Sequence, residues 1–177
     1  SGSDLPFHPT LSSISKTYSY TLSTGPFHDP TQYRRVWHTG EGLCLDNIRE
    51  ACTVLQGRHD FASFQGAARG SDDKRKRLDQ NSVCYLSHVS VTHTSSWLQT
   101  NTYTVTVTGD RFLYKMVRFF VGALVAVGRD QLTTEDIMRV LESGNRGNTT
   151  WECAPSHGLM LHDVKYDDHI DWLVAQS

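Results

Sequence analysis

The sequence predicts an α+β domain: a largely antiparallel mixed sheet with helices packed on one face. Three observations carry this. Short segments at residues 16–23, 83–91 and 102–108 alternate with period two, the latter two enriched in Val, Tyr and Thr, and residues 158–166 read as a further strand. Two segments place apolar residues at helical spacing, Leu45, Ile48, Ala51, Cys52 and Leu55, then Ile137, Met138, Val140 and Leu141. A third, residues 112–127, is apolar almost all round over a length that suits a buried helix rather than a membrane span. The resulting order is strand, helix, strand, strand, helix, helix, strand, which favours a sheet built from hairpins with helices laid against it.

In chain order, residues 16–23 put Tyr18, Tyr20 and Leu22 on one strand face and small hydroxyl residues on the other. A turn-rich stretch from Gly25 to Pro30 precedes a short β-like run around Val36, Trp37 and His38. Asp46 is the expected cap of the first helix, and Gly57 its expected C-terminal stop. Residues 67–80 hold the run Ser71-Asp72-Asp73-Lys74-Arg75-Lys76-Arg77 and no apolar residue between Gly70 and Leu78, so they read as a mobile charged surface loop. Val83 to Val91 and Thr102 to Thr108 form an expected hairpin, joined by a polar turn near residues 95–101. Thr133 followed by Asp136 is a capping box for a helix over 134–143. A final strand over residues 158–166 follows Ala154-Pro155.

A chain of 177 residues is long enough to bury about 70% of its unfolded surface. No window of 18 apolar residues exists to cross a membrane. With 17 Lys and Arg against 19 Asp and Glu, the formal charge is −2, so net charge alone ranks nucleic-acid binding low. Cys44, Cys52, Cys84 and Cys153 lie far apart without a C-x-x-C pair, which reads as reduced cysteine in an intracellular setting, packing as small hydrophobes. The nine histidines form no compact ligand pattern, so no metal is expected. Ser1-Gly2-Ser3 reads as a cleavage scar, leaving residues 4–177 as one domain.

One residue breaks the apolar pattern in a way that demands an explanation. Lys115 can extend to solvent from the start of its helix, but Arg118 lies between Val117, Phe119 and Val121. Its guanidinium does not deprotonate, so covering it without an acidic partner costs several kcal/mol. Either an ordinary structural ion pair at a helix edge or a functional carboxylate would meet that demand.

Four segments together resemble the tRNA pseudouridine synthase A (TruA-like) family: Lys16-Thr17-Tyr18-Ser19-Tyr20; residues 57–64, G-R-H-D-F-A-S-F; residues 112–124, F-L-Y-K-M-V-R-F-F-V-G-A-L; and residues 154–161, A-P-S-H-G-L-M-L, with Val164 and Tyr166. The third is the most specific, and the resemblance spans Phe7 to Tyr166. It implies isomerisation of uridine to pseudouridine in the anticodon stem-loop region of tRNA, initiated by an aspartate, with neither cofactor nor metal, by an enzyme commonly found as a homodimer. Arg118 then matches the arginine that pairs with the catalytic aspartate. Tyr18 matches the active-site tyrosine beside the target uracil and is a candidate general base. Leu159 matches an apolar residue on the other face of the base. Lys16, His59 and the run Lys74, Arg75, Lys76 and Arg77 are candidate RNA contacts, with His59 and Asp60 also read as positioning their loop; Phe61 and Phe64 are expected in the core.

The sequence departs from that pattern at two places. The motif R-T-D-x-G-V-H-A, which carries the family's aspartate, does not occur in these residues, and F-H-A-R stands as Phe7-His8-Pro9-Thr10. The chain is therefore expected to be a C-terminal portion of a pseudouridine synthase, inactive by itself. A non-catalytic RNA-binding module and a pure oligomerisation domain are the alternatives from other functional classes.

Overall fold

The computed structural model describes residues 13–40, 42–66, 81–97, 99–145 and 151–166. These form six strands, β1 (Ser13–Thr24), β2 (Trp37–Gly40), β3 (Gly57–Asp60), β4 (Val83–Trp97), β5 (Thr100–Gly109) and β6 (Leu159–Tyr166), and three helices, α1 (Leu45–Leu55), α2 (Met116–Gly128) and α3 (Thr134–Ser143). The charged run at Lys74, Arg75, Lys76 and Arg77 and the stretch Phe7-His8-Pro9-Thr10 lie outside the described residues.

The sheet runs β2-β1-β5-β4-β3, with β6 paired to β1 as well. β1 pairs antiparallel with β6 along its first part and parallel with β2 at Leu22–Thr24, so one parallel ladder makes an otherwise antiparallel sheet mixed. Strand alternation divides its faces. Tyr20, Leu22, Leu86, Val89, Val91, Val105 and Val107 turn inward and share one core with the apolar sides of the helices. Thr17, Ser19, Thr21, Thr104, Thr106 and Thr108 occupy the opposite face, where hydroxyl residues tolerate partial hydration.

α2 forms the centre of this core. Eleven of its residues are buried, among them Phe120, Val121 and Leu124, and no described helix is long and apolar enough to cross a membrane. It starts at Met116, four residues later than the apolar run. Lys115 takes a left-handed conformation (φ 60°) ahead of it. The intervening turn frees Phe112 to lie edge-on against Tyr18, ring centroids 4.9 Å apart.

α1 corrects three expectations. Its cap position is Cys44, without a side-chain cap, while Asp46 sits in the first turn and pairs with Arg49 at 3.0 Å. Cys52 is buried as expected, whereas Cys44, also expected to pack, is exposed because it precedes the helix; Cys84 is buried. Gly57 does not cap the helix, which ends at Leu55; with φ 103° it opens β3 instead. That strand escapes a pattern search because G-R-H-D is short and polar, and it is held by pairing with β4. The hairpin turn is also shorter than 95–101, since the β4–β5 ladder continues through Ser96 opposite Asn101 to Trp97 opposite Thr100.

α3 keeps its expected bounds. Thr133 Oγ1 accepts from the Asp136 amide at 3.1 Å, and Asp136 Oδ2 accepts from the Thr133 amide at 2.9 Å. These bonds hold the Asp136 carboxyl below the usual carboxylate range, the backbone amide of Thr133 being the largest cause. A cap of this kind contributes about 1 kcal/mol.

Candidate active site

The alternation of β1 places Lys16, Tyr18 and Tyr20 along the face turned toward the helices. Their environments differ. Tyr20 is fully buried, and its hydroxyl donates to the Pro155 carbonyl at 2.7 Å. Burial pushes that hydroxyl well above the usual tyrosine range despite the nearby Arg118 charge, fixing it as a donor. Tyr18, one pleat earlier, is half-buried with Phe112 against its ring, and burial raises its hydroxyl pKa too. Partial burial of Lys16 pulls its ammonium below the usual lysine range.

Arg118 lies in the first turn of α2 and is anchored by backbone. Its Nε–H donates to the Ala154 carbonyl at 2.6 Å, and the Ala154 amide donates back to the Arg118 carbonyl at 3.2 Å. No carboxylate among the described residues forms an ion pair with the guanidinium. One side of the planar fork is thus fixed on the backbone.

The carbonyls of Ala154 and Pro155 connect Arg118 to Tyr20, and two glycines permit the close approach. A Cβ on Gly122 would stand 1.7 Å from the Glu152 carbonyl oxygen, so α2 contacts segment 151–154 through bare backbone. A Cβ on Gly158 would meet the Tyr20 ring at 2.7 Å.

β6 completes the wall. Leu159 lies opposite Tyr20 in the β1–β6 register, while Leu161 lies opposite Tyr18. Leu161 is 50% exposed, an apolar side chain beside a half-buried tyrosine, and sequence reading missed it. Its place follows from the irregularity between Thr17 and Tyr18, which shifts the partners from Asp163 to Leu161.

The structure brings Tyr18, Arg118, Leu159 and Lys16 to the β1, α2 and β6 side of the sheet, but not His59. That histidine is on β3, beyond β5 and β4 from β1, roughly 14 Å away at the usual strand spacing. Its Nε2 contacts the Gln56 carbonyl at 2.7 Å and Asp60 accepts from the Ala62 amide at 2.9 Å, so both residues shape their own loop. Phe61 and Phe64 are fully buried, each edge-on to Phe120. No group of three or more His, Cys, Asp or Glu side chains among the described residues is arranged to hold a metal.

Comparison with known proteins shows which relatives the chain resembles. The chain is 36% identical over 166 residues to tRNA pseudouridine synthase A of Chlamydia muridarum, covering 94% of this chain and 57% of the relative. It is 33% identical over 160 residues to tRNA pseudouridine synthase A 2 of Protochlamydia amoebophila (90% and 57%), and 32% identical over 160 residues to tRNA pseudouridine synthase A of Syntrophotalea carbinolica (90% and 58%). The chain therefore spans less than two thirds of the length of these relatives. Residues 51–167, which carry Arg118, Leu159 and the Ala154-Pro155 anchor, match the family model described as tRNA pseudouridine synthase, and the chain belongs to that family.

Proposed function

We propose that this chain forms the arginine- and tyrosine-bearing part of a tRNA pseudouridine synthase active site, acting on uridine in the anticodon stem-loop region. The carrying observation is Arg118, fixed through Nε on the Ala154 carbonyl and lacking a carboxylate partner among the described residues. An aspartate located outside these 177 residues would pair with it. The absence of R-T-D-x-G-V-H-A from the sequence supports this reading, as does a match to only 57% of the first relative's length. The chain alone would then be inactive.

The isomerisation breaks the bond between uracil N1 and ribose C1′ and forms one between C5 and C1′. The C5 hydrogen leaves as a proton, and N1 gains a proton. A uracil has to leave its stack to reach such a site, and rings or apolar side chains then hold its two faces. Tyr18, Leu159 and Leu161 supply those surfaces, with Tyr18 also handling the C5 proton. Burial raises the Tyr18 hydroxyl pKa, so Tyr18 takes up the C5 proton only as its own proton passes on, the net transfer running from C5 to N1. Arg118 holds the aspartate's carboxylate in place and in its charged form. Lys16 and the Lys74–Arg77 run supply phosphate contacts.

Tritium release from tRNA labelled at uridine C5 reads the loss of that hydrogen directly. The complete gene product should release it, and Tyr18→Phe should slow release by about 10²-fold, within the usual worth of a positioned acid or base, while tRNA retention on a filter stays unchanged. Equal rates for Tyr18→Phe and the unaltered protein would remove Tyr18 from the chemistry. No release by the complete product would refute the proposed activity.

A further inference from the structure

Beyond Tyr20, away from Tyr18, the sheet opens into a pocket of about 440 Å³ with no counterpart in the sequence reading. That volume suits a small organic ligand, whose sites run from about 300 to 1,000 Å³. Its lining includes His28, Tyr33, Arg34, Trp37, His38 and His157, and no carboxylate. The pocket wall packs against the same buried residue that neighbours the candidate active site, since the Trp37 ring stands edge-on to Tyr20 with centroids 6.4 Å apart. His157 lies two residues beyond Pro155, the acceptor of the Tyr20 hydroxyl, and its Nε2 is 3.2 Å from the Val36 carbonyl.

Three features suggest that the pocket is built for a ligand rather than being a surface irregularity. His28 and His38 stack at 5.2 Å, and His28 Nε2 is buried without a hydrogen-bond partner among the described residues. A buried polar atom left unmatched is unfavourable, and a ligand group would satisfy it. Arg34 holds a left-handed backbone (φ 62°), uncommon for a residue with a side chain, and its guanidinium lies 6.0 Å from the Tyr33 ring centroid. Burial first, then the neighbouring His28, keep His38 below the usual histidine range, and its Nδ1 is 3.0 Å from Ser23 Oγ, which fixes the ring in the pocket wall.

This chemistry discriminates among ligands. Aromatic rings and an arginine plane accept an unstacked base, an unpartnered imidazole nitrogen matches a base edge, and a lasting cation without carboxylates favours a phosphate over a metal. We propose that the pocket is a second RNA subsite, taking one unstacked nucleotide next to the target uridine, with its base against Trp37 and Tyr33 and its phosphate on Arg34. This rests on the pseudouridine synthase reading for the identity of the RNA, but not for binding itself.

The test uses the complete gene product and the double variant Tyr33→Ala/Arg34→Ala; Tyr33 is 69% exposed, Arg34 is exposed, and neither belongs to the core. The pocket predicts a KM for tRNA raised about tenfold, with the loss in KM rather than kcat. Arg35→Ala is the control: the neighbouring exposed arginine outside the lining, expected to leave KM within twofold. Photocrosslinking of tRNA carrying 4-thiouridine should mark Tyr33 or Trp37. An unchanged KM for the double variant, or an equal rise for Arg35→Ala, overturns the subsite while leaving the proposed activity standing. Should the complete product prove inactive, filter binding of tRNA decides instead. A tenfold weaker Kd for the double variant alone then upholds the subsite although the activity has failed, and equal Kd values overturn both.

Discussion

Arg118→Ala in the complete gene product is expected to lower the rate of tritium release by about 10²–10³-fold, the usual loss when one preorganised electrostatic partner is removed from a catalytic group. The guanidinium is positioned by the 2.6 Å bond from Nε to the Ala154 carbonyl, and no described carboxylate neutralises it. Removing it leaves the proposed aspartate without its counter-charge and the Ala154 carbonyl without its side-chain donor. Arg118→Lys is expected to recover little, because an ammonium cannot hold a carbonyl through one edge of a planar fork and a carboxylate through the other. Single-turnover kinetics at saturating enzyme separate this from weakened binding. Recovery of more than half the rate by lysine would show that positive charge alone is required, and that the Ala154 anchor is incidental.

Gly122→Ala is expected to have the largest effect on stability among single-methyl changes in the core. The added carbon would fall 1.7 Å from the Glu152 carbonyl oxygen, a backbone atom that cannot turn aside as a side chain would. Either α2 or segment 151–154 must move, at a cost of about 2–3 kcal/mol or more, in the upper range for overpacking. The consequence reaches the site, because this segment continues into Ala154 and Pro155, the acceptors for Arg118 and Tyr20. Urea unfolding should show the midpoint falling, and tritium release should fall further than the fraction unfolded explains. A midpoint unchanged from the native protein would contradict the close helix–segment packing.

The features legible in the sequence are those fixed by neighbouring residues. The Thr133–Asp136 capping box lies within one turn, and α3 occupies the expected residues. Tyr18, Tyr20 and Leu22 alternate over a long strand, so β1 and its inward face were readable. Arg118 stood out because a permanent cation in an apolar helix needs a partner. What escaped depends on contacts distant in sequence. β3 exists through its pairing with β4, and α2 starts only after a turn that places Phe112 against Tyr18. Leu161 owes its place to a shift in the β1–β6 register. The histidine and tryptophan pocket gathers residues from 28 to 157, and its parts read separately as turn and strand.

Single-nucleotide mapping of pseudouridine in an unmodified tRNA transcript tests the central claim most directly, comparing residues 1–177 alone with the complete gene product. The complete product should convert uridine in the anticodon stem-loop region, and residues 1–177 alone should leave every uridine unchanged. Conversion by residues 1–177 alone would show that the carboxylate for Arg118 lies within this chain, contradicting an active site completed from outside it.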